Sequence, residues 1–232
     1  MRIEYHRTLV ADRVRVAAFR DALAGVIEKG QSVVVDIGTG TGILAMLAAR
    51  LGARKVYAYE KAEIGAVAER LIKANRLRNV EVIPARSTEI IDPPRGDIVV
   101  SETLGNYALE EFLVETMNDA RARHLKPGGM LIPGALDQFV CPVIAPRVFD
   151  ELTVWNGVGH GLDFGPACVM SLNNAYVRKF EPRELWGEGR AAIAWTRSTS
   201  RRAIACAGRA WRPGRRRIRP PSMDWHCGGR RT

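Results

Sequence analysis

Two stretches hold the residues best suited to chemistry. In Val33-Val34-Val35-Asp36-Ile37-Gly38-Thr39-Gly40-Thr41-Gly42-Ile43-Leu44, an acid precedes three alternating glycines. Glycine permits a tight turn and lets a ligand approach the backbone without a Cβ clash. The free N–H groups of a following helix favour an anionic or polar ligand group. The dinucleotide fingerprint G-x-G-x-x-G would need glycine where Ile43 stands, so a nicotinamide or flavin is disfavoured. Lys55-Val56-Tyr57-Ala58-Tyr59 then ends in Glu60, with Lys61 next. An acid at that strand tip can accept hydrogen bonds from both hydroxyls of a ribose. The second stretch is Ser101-Glu102-Thr103-Leu104-Gly105-Asn106-Tyr107-Ala108-Leu109-Glu110-Glu111. It sets Glu102 at the end of a predicted strand and Glu111 off the apolar stripe of the next helix. A loop folding back there brings both carboxylates towards one cavity.

These residues must be positioned by strands and helices. Val33–Val35 into the glycines, followed by Leu44, Leu47, Ala48 and Leu51 at helical spacing, predicts strand, turn and helix. A helix is predicted over 8–28, with Val16, Phe19, Leu23, Val26 and Ile27 on one stripe. Helix 64–76, strand 80–84, strand 97–101 and helix 108–124 follow. Pro127-Gly128-Gly129 is expected to end the last helix, and Met130–Pro133 to open a fifth strand. Strands alternating with helices imply an α/β fold with a doubly wound, parallel sheet. Ligands in such sheets bind at the carboxyl ends of the strands. The expected organisation is a capping helix in 1–30, a ligand-binding domain in 31–134, a partial β region in 135–190 and a basic, disordered tail in 191–232.

Composition narrows the class. Hydrophobic residues make up 47% and charged residues 26% of 232, ordinary for a soluble globular protein. No apolar run reaches the roughly 20 residues needed to span a bilayer, and Met1–His6 lacks a signal-peptide core. Neither a membrane partner nor a secretory route is expected. Cys141, Cys168, Cys206 and Cys227 form no C-x-x-C pair, so no metal site is expected and the cytoplasm is the default compartment. The net charge of +10 resides wholly in residues 191–232, which hold eleven arginines against one acid, Asp224. That basicity says nothing about the body of the chain. Through the tail, it leaves room for weak contact with nucleic-acid phosphates.

The pattern D-x-G-x-G-x-G followed by a strand ending in an acid is similar to the S-adenosylmethionine site of class I methyltransferases. Ser-Glu-x-x-Gly, with a second Glu nine positions after the first, resembles the double-glutamate loop of the protein arginine N-methyltransferases. His6 and Arg15 keep that family's spacing of a histidine and an arginine in the helix that caps the cofactor. Lys126–Pro133 resembles its approach to strand five. The resemblance covers residues 5–134 closely and 135–190 loosely. It implies S-adenosyl-L-methionine as cofactor, held by Asp36, Gly38, Thr39, Gly40, Gly42, Ile43, Glu60 and Lys61. Arg15 would pair with the cofactor's carboxylate, and Thr88 and Glu89 would lie near the adenine. Glu102, Glu111 and His6 would be catalytic. The implied partner is a protein with an accessible arginine, and a homodimer is implied as well. The family's Thr-His-Trp tripeptide does not occur here.

The chemistry agrees with these residue types. A guanidinium is a poor nucleophile, because its lone pairs are delocalised and its pKa exceeds about 12. Two carboxylates can grip it as a fork, fix its plane and draw its positive charge onto the far nitrogens. Holding it aligned with a methyl donor can be worth roughly 7–11 kcal/mol. Two other readings stay open. One is a methyltransferase for a small molecule, nucleic acid or lysine; the other is a non-catalytic RNA-binding protein gripping phosphates with its tail.

Overall fold

The computed structural model describes residues 3–105, 112–199 and 225–228, which group into two compact units. The first contains residues up to Leu136 and is built on a five-stranded sheet. Its elements are α1 (Ile3–Ala11), α2 (Arg13–Ala24), β1 (Val33–Ile37), α3 (Ile43–Arg50), β2 (Lys55–Tyr59), α4 (Gly65–Ala74), β3 (Val80–Ile83), β4 (Gly96–Ser101), α5 (Leu113–Asp119) and β5 (Leu125–Ile132). The strand order is β3-β2-β1-β4-β5, and all four pairings are parallel. This is the expected doubly wound α/β sheet.

The central strand explains the layering. Every residue of β1 is buried, as a β-branched run flanked on both faces should be. Successive side chains point to opposite faces. Val34 packs with Leu23, Leu44, Ala48 and Val56, whereas Val35 packs with Tyr59, Val99, Leu113 and Met117. β1 is in register with β2 and β4, Val34 lying opposite both Val56 and Ile98. The carboxyl ends of β1, β2 and β4 therefore lie side by side, and they carry Ile37, Tyr59 and Ser101.

Three boundaries differ from the sequence expectation. The helix expected over 8–28 is two helices. The Asp12 carboxylate accepts a hydrogen bond from the Arg15 amide at 3.0 Å, so Asp12 caps a new helix where one continuous helix was expected. In place of a helix running to 124, α5 ends at Asp119 and passes into a π-helical turn, Ala120–His124. Pro127-Gly128-Gly129 lies inside β5 rather than before it. β5 is an edge strand, where proline costs no inner ladder bond, and its pairing with β4 shifts register between Gly96 and Ile98.

The second unit differs more. Residues 135–190 contribute one strand, β6 (Ala135–Pro142), and two short helices, α6 (Pro146–Leu152) and α7 (Gly165–Leu172). A mostly β and irregular region was expected. Each helix has proline in its first turn, where the fixed φ favours helical entry. Ala145, Val148 and Leu152 form a small core with Leu172, Tyr176 and Phe180. The partners of β6 come from beyond residue 190: β7 (Ile193–Thr199) and β8 (Trp225–Gly228) flank it in a sheet of order β7-β6-β8. These two segments are strands where a disordered tail was expected. Ile193, Trp195, Thr196 and Thr199 are strand-favouring types that the arginine-rich surroundings obscured. Among the described residues, no helix is long and apolar enough to cross a membrane.

Candidate functional site

Asp36 is the last residue but one of β1 and is 1% exposed. One oxygen, Oδ2, accepts from the Thr39 hydroxyl and from the Ala45 amide at 3.0 Å, which ties the glycine turn to the start of α3. The other, Oδ1, is buried and has no hydrogen-bond partner among the described residues. A buried polar atom left unpaired costs about 1–3 kcal/mol, so Oδ1 suits a donor on a ligand. Burial pushes the Asp36 carboxyl up to about 7, against the pull of those two hydrogen bonds. This value lies above that of an unfolded aspartate. The folded chain therefore binds the extra proton between about pH 4 and 7, and stability falls as pH rises through that window. Urea unfolding at about pH 5 and about pH 7.5 should show a larger loss in the wild type than in Asp36→Asn.

The turn itself needs glycine. Gly38, Gly40 and Gly42 have φ of +71°, +56° and +83°. At Gly38 a Cβ would stand 2.5 Å from Thr103 Cγ2, and at Gly40 it would stand 3.1 Å from His6 Cε1. Gly38→Ala combines a left-handed backbone with that clash. It should lower unfolding stability by about 2 kcal/mol, measured in urea. Gly42 is the N-cap of α3, which opens on half-buried Ile43.

Glu60 follows β2 and holds the same turn. Its Oε2 accepts the Gly40 amide at 3.0 Å and its Oε1 the Ala62 amide at 2.8 Å. Each oxygen keeps a second lone pair for a hydroxyl donor. Lys61 beside it is exposed. His6, on α1, lies over Gly40 at 7% exposure, and its Nε2 has no hydrogen-bond partner among the described residues. Burial holds His6 below the usual histidine range, with the Glu60 carboxylate pulling the other way. The imidazole is therefore neutral at pH 7 and able to accept a proton.

Glu102 follows β4. Its neighbours prepare the strand end: the buried Ser101 hydroxyl donates to Ile37 O at 2.9 Å and lies 3.1 Å from Thr103 Oγ1. The Glu102 side chain is 16% exposed and pairs with Arg15, itself 8% exposed, through Nη1–Oε2 at 2.8 Å. The sequence assigned Arg15 to the carboxylate of a cofactor; the fold gives it Glu102 as a protein partner. The capping-helix arginine grips the glutamate directly, from the first turn of the α2 helix that Asp12 caps. Glu111 lies outside the described residues.

Thr88 and Glu89 are exposed on a 3₁₀ turn, Ser87–Glu89, after β3. The groups that anchor that turn carry no motif in the sequence. Arg123 and His124, from the π-helical turn, bond the backbone carbonyls of Ser87, in the turn, and of Ile90, which follows it. The only signal was Asp119 four residues before Arg123, the spacing of a helical ion pair. The turn, Asp36, Glu60, His6 and the Arg15–Glu102 pair all belong to the first unit. No cluster of three or more metal-ligating side chains occurs among the described residues.

Comparison with known proteins adds independent findings. Residues 20–138 match the family model of ribosomal protein L11 methyltransferase (PrmA). The chain is 32% identical over 182 residues to protein arginine N-methyltransferase 6 of Danio rerio, an alignment covering 73% of this chain and 51% of that one. It is 35% identical over 198 residues to probable protein arginine N-methyltransferase 6.1 of Oryza sativa subsp. indica, covering 83% and 51%. The chain thus spans about half the length of these curated relatives. Among solved structures it resembles the Trypanosoma brucei PRMT1 enzyme-prozyme heterotetrameric complex with AdoHcy. There the TM-score is 0.75 and the identity 26%, over 84% of this chain and 62% of that one. Protein arginine methyltransferase 10 of Arabidopsis thaliana gives a TM-score of 0.69 and 29% identity, over 86% and 63%.

Proposed function

The chain belongs to the class I S-adenosylmethionine-dependent methyltransferases, in the protein arginine N-methyltransferase family, and from that premise we propose that it transfers a methyl group to a guanidinium nitrogen of protein arginine. The observation that carries this reading is the Arg15–Glu102 pair at the carboxyl end of β4. A poorly exposed glutamate already engages a guanidinium there, beside a glycine turn with an unpaired buried acceptor.

The residues present fit the cofactor. Asp36, Gly38, Thr39, Gly40, Gly42 and Ile43 would cradle it, Glu60 and Lys61 would meet its ribose, and Thr88 and Glu89 its adenine. When bound, S-adenosylmethionine supplies an electrophilic methyl group on a sulfonium sulfur. Glu102 orients the acceptor guanidinium and concentrates its charge away from the reacting nitrogen, a task shared with Glu111 by resemblance. Arg15 holds the Glu102 carboxylate in place until the acceptor arrives. Its remaining N–H groups can serve an anionic ligand group. His6, neutral and unpaired at Nε2, is suited to take a proton or to orient a donor.

The same reading includes a second copy of this chain as partner and a cytoplasmic setting, where thiols such as the free Cys141 and Cys168 stay reduced. Weak nucleic-acid contact through residues 191–232 is supported by their eleven arginines. The test is methyl transfer from labelled S-adenosylmethionine to an arginine-rich peptide and to its lysine-substituted twin. Label in the arginine peptide alone, recovered as methylarginine after hydrolysis, is the expected result. Label in the lysine twin alone would move the acceptor to another class.

A further inference from the structure

The 3₁₀ turn Ser87–Glu89 has no strand ladder to hold it, so its carbonyls must be satisfied by other groups. Arg123 supplies them. Its Nη1 donates to Ile90 O at 2.6 Å and its Nη2 to Ser87 O at 3.0 Å. The same guanidinium is held from behind by Asp119, with Nε–Oδ1 at 2.7 Å and Nη2–Oδ2 at 2.8 Å. A planar guanidinium bound on both edges is a rigid spacer, which a lysine would not be.

His124 adds a second contact. It is fully buried, and its Nε2 lies 3.0 Å from Ser87 O. A carbonyl can only accept, so Nε2 carries the hydrogen. The ring stands edge-on to Tyr59, with centroids 5.1 Å apart. Tyr59 is the residue before Glu60. The π-helical turn Ala120–His124 therefore touches the two segments that would meet the nucleoside: the loop after β3 and the end of β2. A π turn presents consecutive side chains at an offset that an α-helix does not provide, and such turns recur at functional sites.

We propose that Asp119, Arg123 and His124 form a clamp that positions the adenine-contacting loop, making Arg123 and His124 positioning residues for the nucleoside half of the cofactor. The clamp rests on the methyltransferase reading above. It makes no claim on the amino-acid half of the cofactor, which the reading above gives to Arg15.

Calorimetric titration of the full chain with S-adenosylhomocysteine and with 5′-methylthioadenosine, which lacks the amino-acid half, tests it. Arg123→Met should weaken both ligands by about tenfold and by the same factor. Arg123→Lys should recover part of the loss. Asp119→Asn keeps the arginine but loosens its fork, and should shift both affinities in the same direction by about threefold. Arg15→Ala should weaken S-adenosylhomocysteine only. With peptide, Arg123→Lys should raise KM for the cofactor and leave kcat unchanged. Unchanged affinities in Arg123→Met and Asp119→Asn overturn the clamp alone, as does a loss confined to S-adenosylhomocysteine. A wild type that binds neither ligand overturns the functional reading, and the clamp with it.

Discussion

Glu102→Gln lowers methyl transfer to an arginine peptide by about 10²–10³-fold and leaves S-adenosylhomocysteine affinity within about threefold. The two side chains are nearly isosteric, and the amide oxygen can still accept from Arg15. What disappears is the negative charge. A carboxylate at 16% exposure acts in a medium less polar than water, so its attraction for a guanidinium is strengthened there. Neutral glutamine can no longer draw the acceptor's charge away from the reacting nitrogen. Stability should also fall, since Arg15 is 8% exposed and would keep its charge beside a neutral partner. The check is kcat/KM together with a urea midpoint. A fall in stability without a fall in transfer would place Glu102 among structural residues. A fall in transfer that far exceeds the stability change supports the proposed role.

The second large effect is at the carboxyl end of β2, on the same edge of the sheet. Glu60→Ala should weaken S-adenosylhomocysteine binding by about 100-fold, because two functions are lost together. The carboxylate can no longer accept from ribose hydroxyls. It also no longer holds the Gly40 and Ala62 amides, which it fastens at 3.0 and 2.8 Å. Glu60→Gln retains one acceptor oxygen and should lose about tenfold. Equal losses in the two variants would mean that charge alone matters. No loss in either would remove Glu60 from the site.

The sheet was legible because its signals are local. Three valines before Asp36, glycines at alternate positions and an acid after Tyr59 mark a strand–turn–helix–strand unit whatever surrounds them. Glu102 was legible for the same reason, following a short apolar strand. The Arg15–Glu102 pair was not, because 87 residues separate its members and only the fold brings them together. The clamp was hidden in a similar way: Arg123 bonds backbone carbonyls at 87 and 90, and carbonyls leave no trace in a sequence. The second unit was misread for a different reason. A four-residue strand such as Trp225–Gly228 is chosen by its partner, with Val140 opposite Cys227 and Pro142 opposite Trp225, more than by its own residues. The α1–α2 break turned on one side chain, since Asp12 sits in a pattern that otherwise reads as a single apolar stripe.

The most direct measurement is calorimetric titration of S-adenosylmethionine into the unmodified full chain. The glycine turn, the unpaired Asp36 Oδ1 and the Glu60 carboxylate together predict saturable binding of one molecule per chain, sharply weakened in Glu60→Ala. Absence of heat and of saturation in the wild type, in a chain that unfolds cooperatively, would contradict the account at its base.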